Sequence, residues 1–193
     1  MSRYSLGRWF VLTEYVRDHA FTVAWFGLMS MVWFGWGQED PPGPWRWRLG
    51  VASVLGIALA GLFGVATALS WSGESALDGR YHWFGVLVGV EVIAAGLGCL
   101  LFARSGNGRW MAWWVAVIVA SHFLPLAVLL DDVSIAAVGV VQGIALALLV
   151  PRLRRSEVTT SRYVGPVMGV VLLGFAAVSA ALFVAESGLP WRV

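Results

Sequence analysis

The chain contains no lysine, and it has a single cysteine, Cys99, among its 193 residues. Retinal Schiff bases, pyridoxal phosphate aldimines and phosphate loops of the Walker type all need a lysine amine, so the sequence excludes those chemistries. One cysteine can form neither an intrachain disulfide nor a cysteine-based metal site. We expect Cys99, which lies in an apolar run, to pack as a small hydrophobic residue.

Charge is scarce as well. Only 12% of the residues are charged, 59% are hydrophobic, and the mean hydropathy is +0.78. A soluble domain usually carries about a quarter charged residues and less than half apolar ones. A water-soluble fold could not bury this much apolar surface, so the composition indicates an integral membrane protein surrounded by a lipid bilayer. We expect no nucleic-acid partner.

Six apolar runs are each close to the ~20 residues that cross a bilayer core. They lie at 19–36, 49–71, 83–103, 110–130, 133–150 and 164–185. The sequence therefore predicts an all-α polytopic transmembrane bundle of six spans at 19–186, with an interfacial segment at 1–18 and a tail at 187–193. The break between spans four and five is the shortest, and two adjacent carboxylates, Asp131 and Asp132, predict a tight turn there. No cleavable signal is evident, so we expect the N-terminus to be retained.

The arginines predict an orientation. We call the side from which span one starts face A, and the opposite side face B. Of the 13 basic residues, eight fall in the loops of face B, four of them at 151–162, and five fall on the side of face A. The positive-inside rule then makes face B cytoplasmic and places both termini outside, although the arginines of the N-terminal segment favour the reverse. The arginine-only, glycine- and alanine-rich composition is typical of bacteria, which indicates a bacterial cytoplasmic membrane.

Small residues recur at four-residue steps in several spans. The longest stripes are Gly56, Ala60, Gly64 and Ala68 in span two, and Ala136, Gly139, Gly143 and Ala147 in span five. Such stripes let helix backbones approach closely in lipid, so they predict packing within the bundle, a homo-oligomer or a membrane-protein partner. The alternative is that glycine and alanine are simply common in membrane helices.

Ionisable side chains inside apolar spans are costly and point to function. At ~1.5 Å per residue, Glu91 in span three and His122 in span four each fall about 12 Å below face A, and Gln142 in span five about 14 Å. We expect these side chains to line one pocket open to face A, with Thr67 adding a hydroxyl. Glu91 lies about opposite the glycines of its own span (Gly85, Gly89 and Gly96), which predicts a central helix with one packing face and one carboxylate face.

Two further features extend the predicted pocket. Pro125 removes one amide hydrogen and pushes on the carbonyl of Ser121, and irregular backbone of this kind can line a cavity. On face A, the sequence predicts an acidic mouth that would concentrate cations or protons. Its carboxylates are those of Glu74, Asp78, Asp131 and Asp132, with Glu186 nearby. In the alternative interpretation, Glu91 and His122 only satisfy each other and fix the register of their helices.

The sequence favours neither a cofactor nor a bound metal. A haem held by His82 and His122 is disfavoured because His82 lies closer to face A. Zinc at His122 and Glu91 lacks a third ligand unless Asp131 bends inward. Ser121 adjoins His122, but neighbours on a helix point ~100° apart and cannot form a nucleophile–base pair. We expect His19 and His82 to be solvated.

Residues 121–127 read SHFLPLA. This segment resembles a His-Phe-x-Pro-Leu-Ala segment in small, uncharacterised multi-span bacterial membrane proteins. The resemblance rests on this segment and on the hydropathy layout. It implies that His122 and Pro125 are family features, and it implies no activity.

Three classes of function remain open. The first is transport or permeation of a proton, a cation or a small cationic solute through a pocket centred on Glu91 and His122. The second is a non-catalytic interaction or assembly subunit that docks through its small-residue stripes. The third is a membrane-embedded enzyme that acts on a lipid-like substrate and uses the same two residues as acid and base.

Overall fold

The computed structural model describes residues 15–192. This part of the chain forms six α-helices and contains no strand. They are α1 Val16–Gly37, α2 Arg46–Leu69, α3 Tyr81–Arg104, α4 Met111–Leu129, α5 Val133–Arg154 and α6 Ser161–Ser187. All six helices are long and apolar enough to cross a membrane, which confirms the predicted six-span helical bundle. The predicted interfacial segment falls almost entirely outside the described residues.

Most helix ends differ from the predicted spans by one to four residues, and the differences at the start of α1 and at the end of α5 change the assignment of charged residues. Helix α1 begins at Val16, so Arg17 and Asp18 belong to its first turn rather than to a preceding segment. Helix α5 continues through Pro151 to Arg154, because the last turn is held by Leu153, which is buried in the core. The predicted basic loop at 151–162 is therefore shorter than expected.

The turn between α4 and α5 forms as the adjacent carboxylates predict. Asp131 adopts a left-handed backbone with φ 52°, a conformation that aspartate tolerates better than most residues. Asp132 is the N-cap of α5, and its Oδ1 accepts hydrogen bonds from the Ser134 amide at 2.9 Å and from the Ser134 hydroxyl at 2.6 Å. These bonds satisfy donors at the start of the helix that would otherwise lack a partner in the membrane.

The helices form two packed groups. Helix α1 packs against α2 and α6, while α4 packs against α3 and α5. Helix α6 joins the groups because it also contacts α4 and α5. Helix α3 packs mainly on α4. Only 6% of the residues in its most hydrophobic 18-residue stretch are buried in the described structure. A space therefore remains between α1 on one side and α3 with α4 on the other.

The position of α3 corrects the expectation that this helix is central. Its glycines Gly85, Gly89 and Gly96 have open space where a Cβ would lie. The contact with α4 instead uses Gly98, where the missing side chain admits the ring of Trp114. The indole Nε1 of Trp114 donates a hydrogen bond to the carbonyl of Ala94 at 3.0 Å. Gly98 lies two turns after Glu91, so α3 packs through the face that carries the carboxylate.

Several of the other glycines lie where the backbones of two helices are in close contact. At the crossing of α1 and α2, a Cβ on Gly56 would lie 2.5 Å from the carbonyl oxygen of Gly27, and a Cβ on Gly27 would lie 2.7 Å from that of Gly56. A Cβ on Gly139 of α5 would lie 2.6 Å from the carbonyl oxygen of Ala120 in α4. Gly64 and Gly143, from the same two predicted stripes, face open space. Each stripe therefore supplies one tight contact rather than a continuous interface.

The α1–α2 crossing predicts a specific effect of substitution. Gly56→Ala should lower stability by about 1–3 kcal/mol, because the new methyl group would overlap backbone that cannot move away cheaply. Gly64→Ala on the same helix is the matched control and should leave stability unchanged or slightly higher, since alanine is the better helix former. Thermal unfolding of the two purified variants in detergent measures the difference. Equal melting temperatures would contradict the packing described here.

Candidate functional site

A cavity of about 430 Å³ occupies the space between α1 and the α3–α4 pair. Most of its wall is apolar or aromatic. Polar side chains enter it at two levels, one near face A and one deeper in the bundle. The outer level consists of Arg17, Asp18, Thr22, Ser75 and Tyr81, and the inner level of Glu91 and His122, with Thr67 on the wall contributed by α2.

Glu91 and His122 meet at the inner level. The Nδ1 atom of His122 lies 3.5 Å from Oε1 of Glu91 and 2.9 Å from the carbonyl oxygen of Val119. The two side chains are 15% and 19% exposed, and both border the cavity. When Nδ1 carries a proton, that N–H donates to the carbonyl while the carboxylate stays within ion-pair distance. A proton on the second ring nitrogen would make this contact an imidazolium–carboxylate pair.

Arg17 and Asp18 form the outer level from the first turn of α1. Oδ2 of Asp18 accepts hydrogen bonds from the amide of Ala76 at 2.7 Å and from the hydroxyl of Ser75 at 3.0 Å. The guanidinium of Arg17 donates to the carbonyl of Trp71 at 2.9 Å and to the hydroxyl of Tyr81 at 2.8 Å. These bonds hold the loop between α2 and α3 at the face A end of the cavity.

The sequence reasoning missed this outer level because it placed residues 1–18 in an interfacial segment. A signal was available: an arginine and an aspartate stand side by side directly before an apolar run. Such a charge pair can enter the first turn of a span, since each member compensates the other.

The expectation that His19 is solvated was wrong. Its side chain is buried, and its Nε2 lies 2.9 Å from the hydroxyl of Ser179 in α6. The imidazole also makes an edge contact with Phe183, at 5.2 Å between ring centroids. The reason is that the first turn of α1 already lies inside the bundle, against α2 and α6. His82 is exposed, as expected.

The structure brings only some of the predicted pocket residues together. Thr67 lines the cavity and donates its hydroxyl to the carbonyl of Phe63 at 2.8 Å. Gln142 does not border the cavity: it is fully buried on α5, and neither atom of its amide has a hydrogen-bond partner among residues 15–192. Helix α5 packs on α4, whereas the cavity lies between α4 and α1, so equal depth did not bring Gln142 to Glu91.

Ser121 and Pro125 also lie outside the cavity, on the exposed face of α4. The hydroxyl of Ser121 donates to the carbonyl of Val117 at 2.7 Å. At ~100° per residue, Ser121 and Pro125 fall on one side of His122, while the cavity-lining Phe123 falls on the other. Helix α4 also continues past the proline to Leu129. The proline therefore does not open backbone toward the cavity.

The predicted acidic mouth is compensated by arginines. Asp131 forms an ion pair with Arg80 at 2.7 Å, and Asp78 lies 3.8 Å from Nη2 of Arg17. Asp132 is buried as the N-cap of α5. None of the predicted mouth carboxylates lines the cavity, namely Glu74, Asp78, Asp131 and Asp132. The field at face A is therefore weaker than the acidic residues alone predict.

The charge of the cavity depends on the side chains that line its wall. Among the described residues, the charged or imidazole side chains that line it are Arg17, Asp18, Glu91 and His122. Arg17 Nε lies 3.5 Å from Oδ1 of Asp18, so these two charges compensate each other. With a neutral imidazole, the carboxylate of Glu91 is the uncompensated charge, and it favours a cation or a proton. Within residues 15–192, no three His, Cys, Asp or Glu side chains are grouped closely enough to hold a metal ion.

No protein family model matches the sequence, and no curated protein and no solved structure matches it either. The resemblance of residues 121–127 to a bacterial membrane segment stays a prediction. The support for a proposed function therefore comes from the geometry of the site alone.

We expect the hydrogen bonds of Asp18 to hold the loop between α2 and α3 at the face A end of the cavity. Asp18→Ala removes an acceptor used by Ser75 and Ala76, which should cost about 1–3 kcal/mol and release the loop. Glu74→Ala, an exposed change in the same loop, is the control. Hydrogen–deuterium exchange of the backbone amides at 72–80 should become at least about tenfold faster in the Asp18 variant alone. Unchanged exchange would contradict the role given to Asp18.

Proposed function

We propose that this integral membrane protein mediates transport or permeation of a proton, a cation or a small cationic solute, with Glu91 and His122 at its binding site. The observation that supports this proposal is the 3.5 Å approach of Glu91 and His122 on the wall of a cavity of about 430 Å³. A carboxylate is expensive inside a membrane bundle unless it is paired or serves a ligand. Here it is paired and still borders the cavity.

The same pair supplies a mechanism for exchange. While His122 is neutral, the carboxylate of Glu91 attracts a cation that enters the cavity. Protonation of the imidazole places a positive charge beside that carboxylate and removes the attraction. A proton and a cation therefore compete for one negative charge, and this competition couples the uptake of one to the release of the other.

The space between the two helix groups would let them move relative to each other during this exchange. Helix α1 faces the α3–α4 pair across the cavity, and α3 packs mainly on α4. A movement of α3 together with α4 relative to α1 would change access to Glu91 without breaking the tight α1–α2 contact. The loop held by Arg17 and Asp18 lies at the face A end of this path.

We place the protein in a bacterial cytoplasmic membrane, with face B cytoplasmic and both termini outside. Arginines at the end of α5 support this orientation, because Arg152, Arg154 and Arg155 are all exposed on face B. Cytoplasmic loops of membrane proteins carry an excess of such residues.

A non-catalytic assembly subunit is the second candidate function. Helix α3 supports it, because this helix is the least buried of the six within the described residues. Its glycines Gly85 and Gly89 have open space in front of them, which would let a second copy or another membrane helix approach closely. A monomer that carries ions alone would contradict this candidate.

Flux through proteoliposomes tests the first candidate. Glu91→Gln removes the negative charge with little change in shape, so proton or cation flux along an imposed gradient should fall at least about tenfold. Glu186→Gln, the same chemical change at an exposed site, should leave flux at the level of the unmodified protein. Both variants should elute from size exclusion as the unmodified protein does. Absence of flux in the unmodified protein under gradients of protons, sodium, potassium and a small organic cation such as tetramethylammonium would contradict the proposal.

Cysteine labelling tests the orientation. In a Cys99→Ala background, Glu157→Cys introduces a thiol on face B and Glu186→Cys one on face A. An impermeant maleimide applied to intact cells should label the Glu186→Cys protein and spare the Glu157→Cys protein until the membrane is permeabilised. The opposite pattern would show that face B is the outer side.

A further inference from the structure

We infer that the ligand of the cavity is a monovalent organic cation with an apolar body, held by Glu91 at its charge and by aromatic rings around the rest. This inference rests on the proposed function and narrows its substrate class. It excludes a bare divalent metal ion as the species bound in the cavity.

Aromatic side chains line the cavity on both of its walls. Helix α1 contributes Phe26 and Trp33, and the α3–α4 side contributes Phe84 and Phe123. Phe26 and Phe123, from opposite walls, make an edge contact at 5.5 Å between ring centroids. The faces of such rings carry partial negative charge and attract organic cations while also covering their apolar groups.

A bare divalent cation would find too few ligands here. Calcium takes six to eight oxygen ligands and magnesium about six. On this wall, the oxygens of Asp18 are occupied by Ser75, Ala76 and Arg17. The carbonyl of Val119 accepts from His122. The carboxylate of Glu91 therefore cannot replace the hydration shell of a divalent ion, whereas one carboxylate is sufficient for an organic cation that has no tightly bound water.

The charge of the cavity wall and the volume of the cavity also fit a monovalent organic cation. Because Arg17 and Asp18 compensate each other at 3.5 Å, the wall offers one uncompensated negative charge, which matches a single positive charge. A volume of about 430 Å³ falls within the ~300–1,000 Å³ typical of pockets for small organic ligands. An anion of the same size would meet the carboxylate of Glu91, and no free cation on the described wall would balance it.

Tetraphenylphosphonium and its near-isosteric anion tetraphenylborate test this inference. Equilibrium dialysis is carried out with the full chain in lipid nanodiscs, and binding to empty nanodiscs is subtracted. The phosphonium should bind saturably, with one ion per chain, and tetraphenylborate should not. Glu91→Gln should weaken phosphonium binding at least about tenfold, since the neutralising charge is lost. Glu186→Gln should leave it unchanged.

A charge-conserving variant separates binding from folding. Glu91→Asp keeps the carboxylate and should retain phosphonium affinity to within a fewfold of the unmodified protein. Loss of binding in both Glu91→Asp and Glu91→Gln would assign Glu91 a structural role and overturn the inference. Equal binding of the two tetraphenyl ions would also overturn the inference. A co-purified lipid in the cavity that the phosphonium fails to displace would do the same.

Flux measurements on the same protein variants reconstituted into liposomes distinguish this inference from the proposed function. Saturable, Glu91-dependent phosphonium binding without any flux would support the ligand class and overturn transport. Glu91-dependent proton flux without phosphonium binding would support transport and overturn the ligand class.

Discussion

The contact between Glu91 and His122 is the interaction on which the functional interpretation depends. A carboxylate within a membrane bundle is costly without a partner. The residues one turn away from Glu91 on α3, Leu87 and Ala95, are apolar and cannot supply one. His122 of α4 lies 3.5 Å away, so the pair joins the two helices at a fixed register. Gly98 and Trp114 provide the close packing that keeps this contact in place. The result is a polar contact that stabilises α3 and still borders a cavity.

The two polar levels of the cavity have different roles. Arg17 and Asp18 compensate each other and are committed to hydrogen bonds with the neighbouring loop, so they hold structure. Glu91 lies instead beside the imidazole of His122, so a proton on that ring would change the net charge of the pair. This arrangement confines the variable charge to the inner level. It also explains why the acidic residues near face A contribute less than their number predicts, because arginines lie among them.

The sequence predicted the spans, the Asp131–Asp132 turn and the meeting of Glu91 with His122, because length, hydropathy and depth depend on position along a helix alone. It did not predict which face of a helix meets which neighbour. Gln142 shares the depth of Glu91 but lies on the far side of α4. Asp18 was assigned to the interfacial segment and His19 was expected to be solvated, because charge was taken as a boundary. Both side chains instead have partners on other elements within the bundle.

The carboxyl group of Glu91 is the most direct place to test the account. Infrared difference spectra of the purified protein, recorded with and without tetraphenylphosphonium, report changes in individual carboxyl and carboxylate bands. The account predicts a ligand-induced change in one such band that is missing from the Glu91→Gln variant and retained in Glu186→Gln. A spectrum in which the ligand changes no carboxyl band, or changes one that persists in Glu91→Gln, would contradict it.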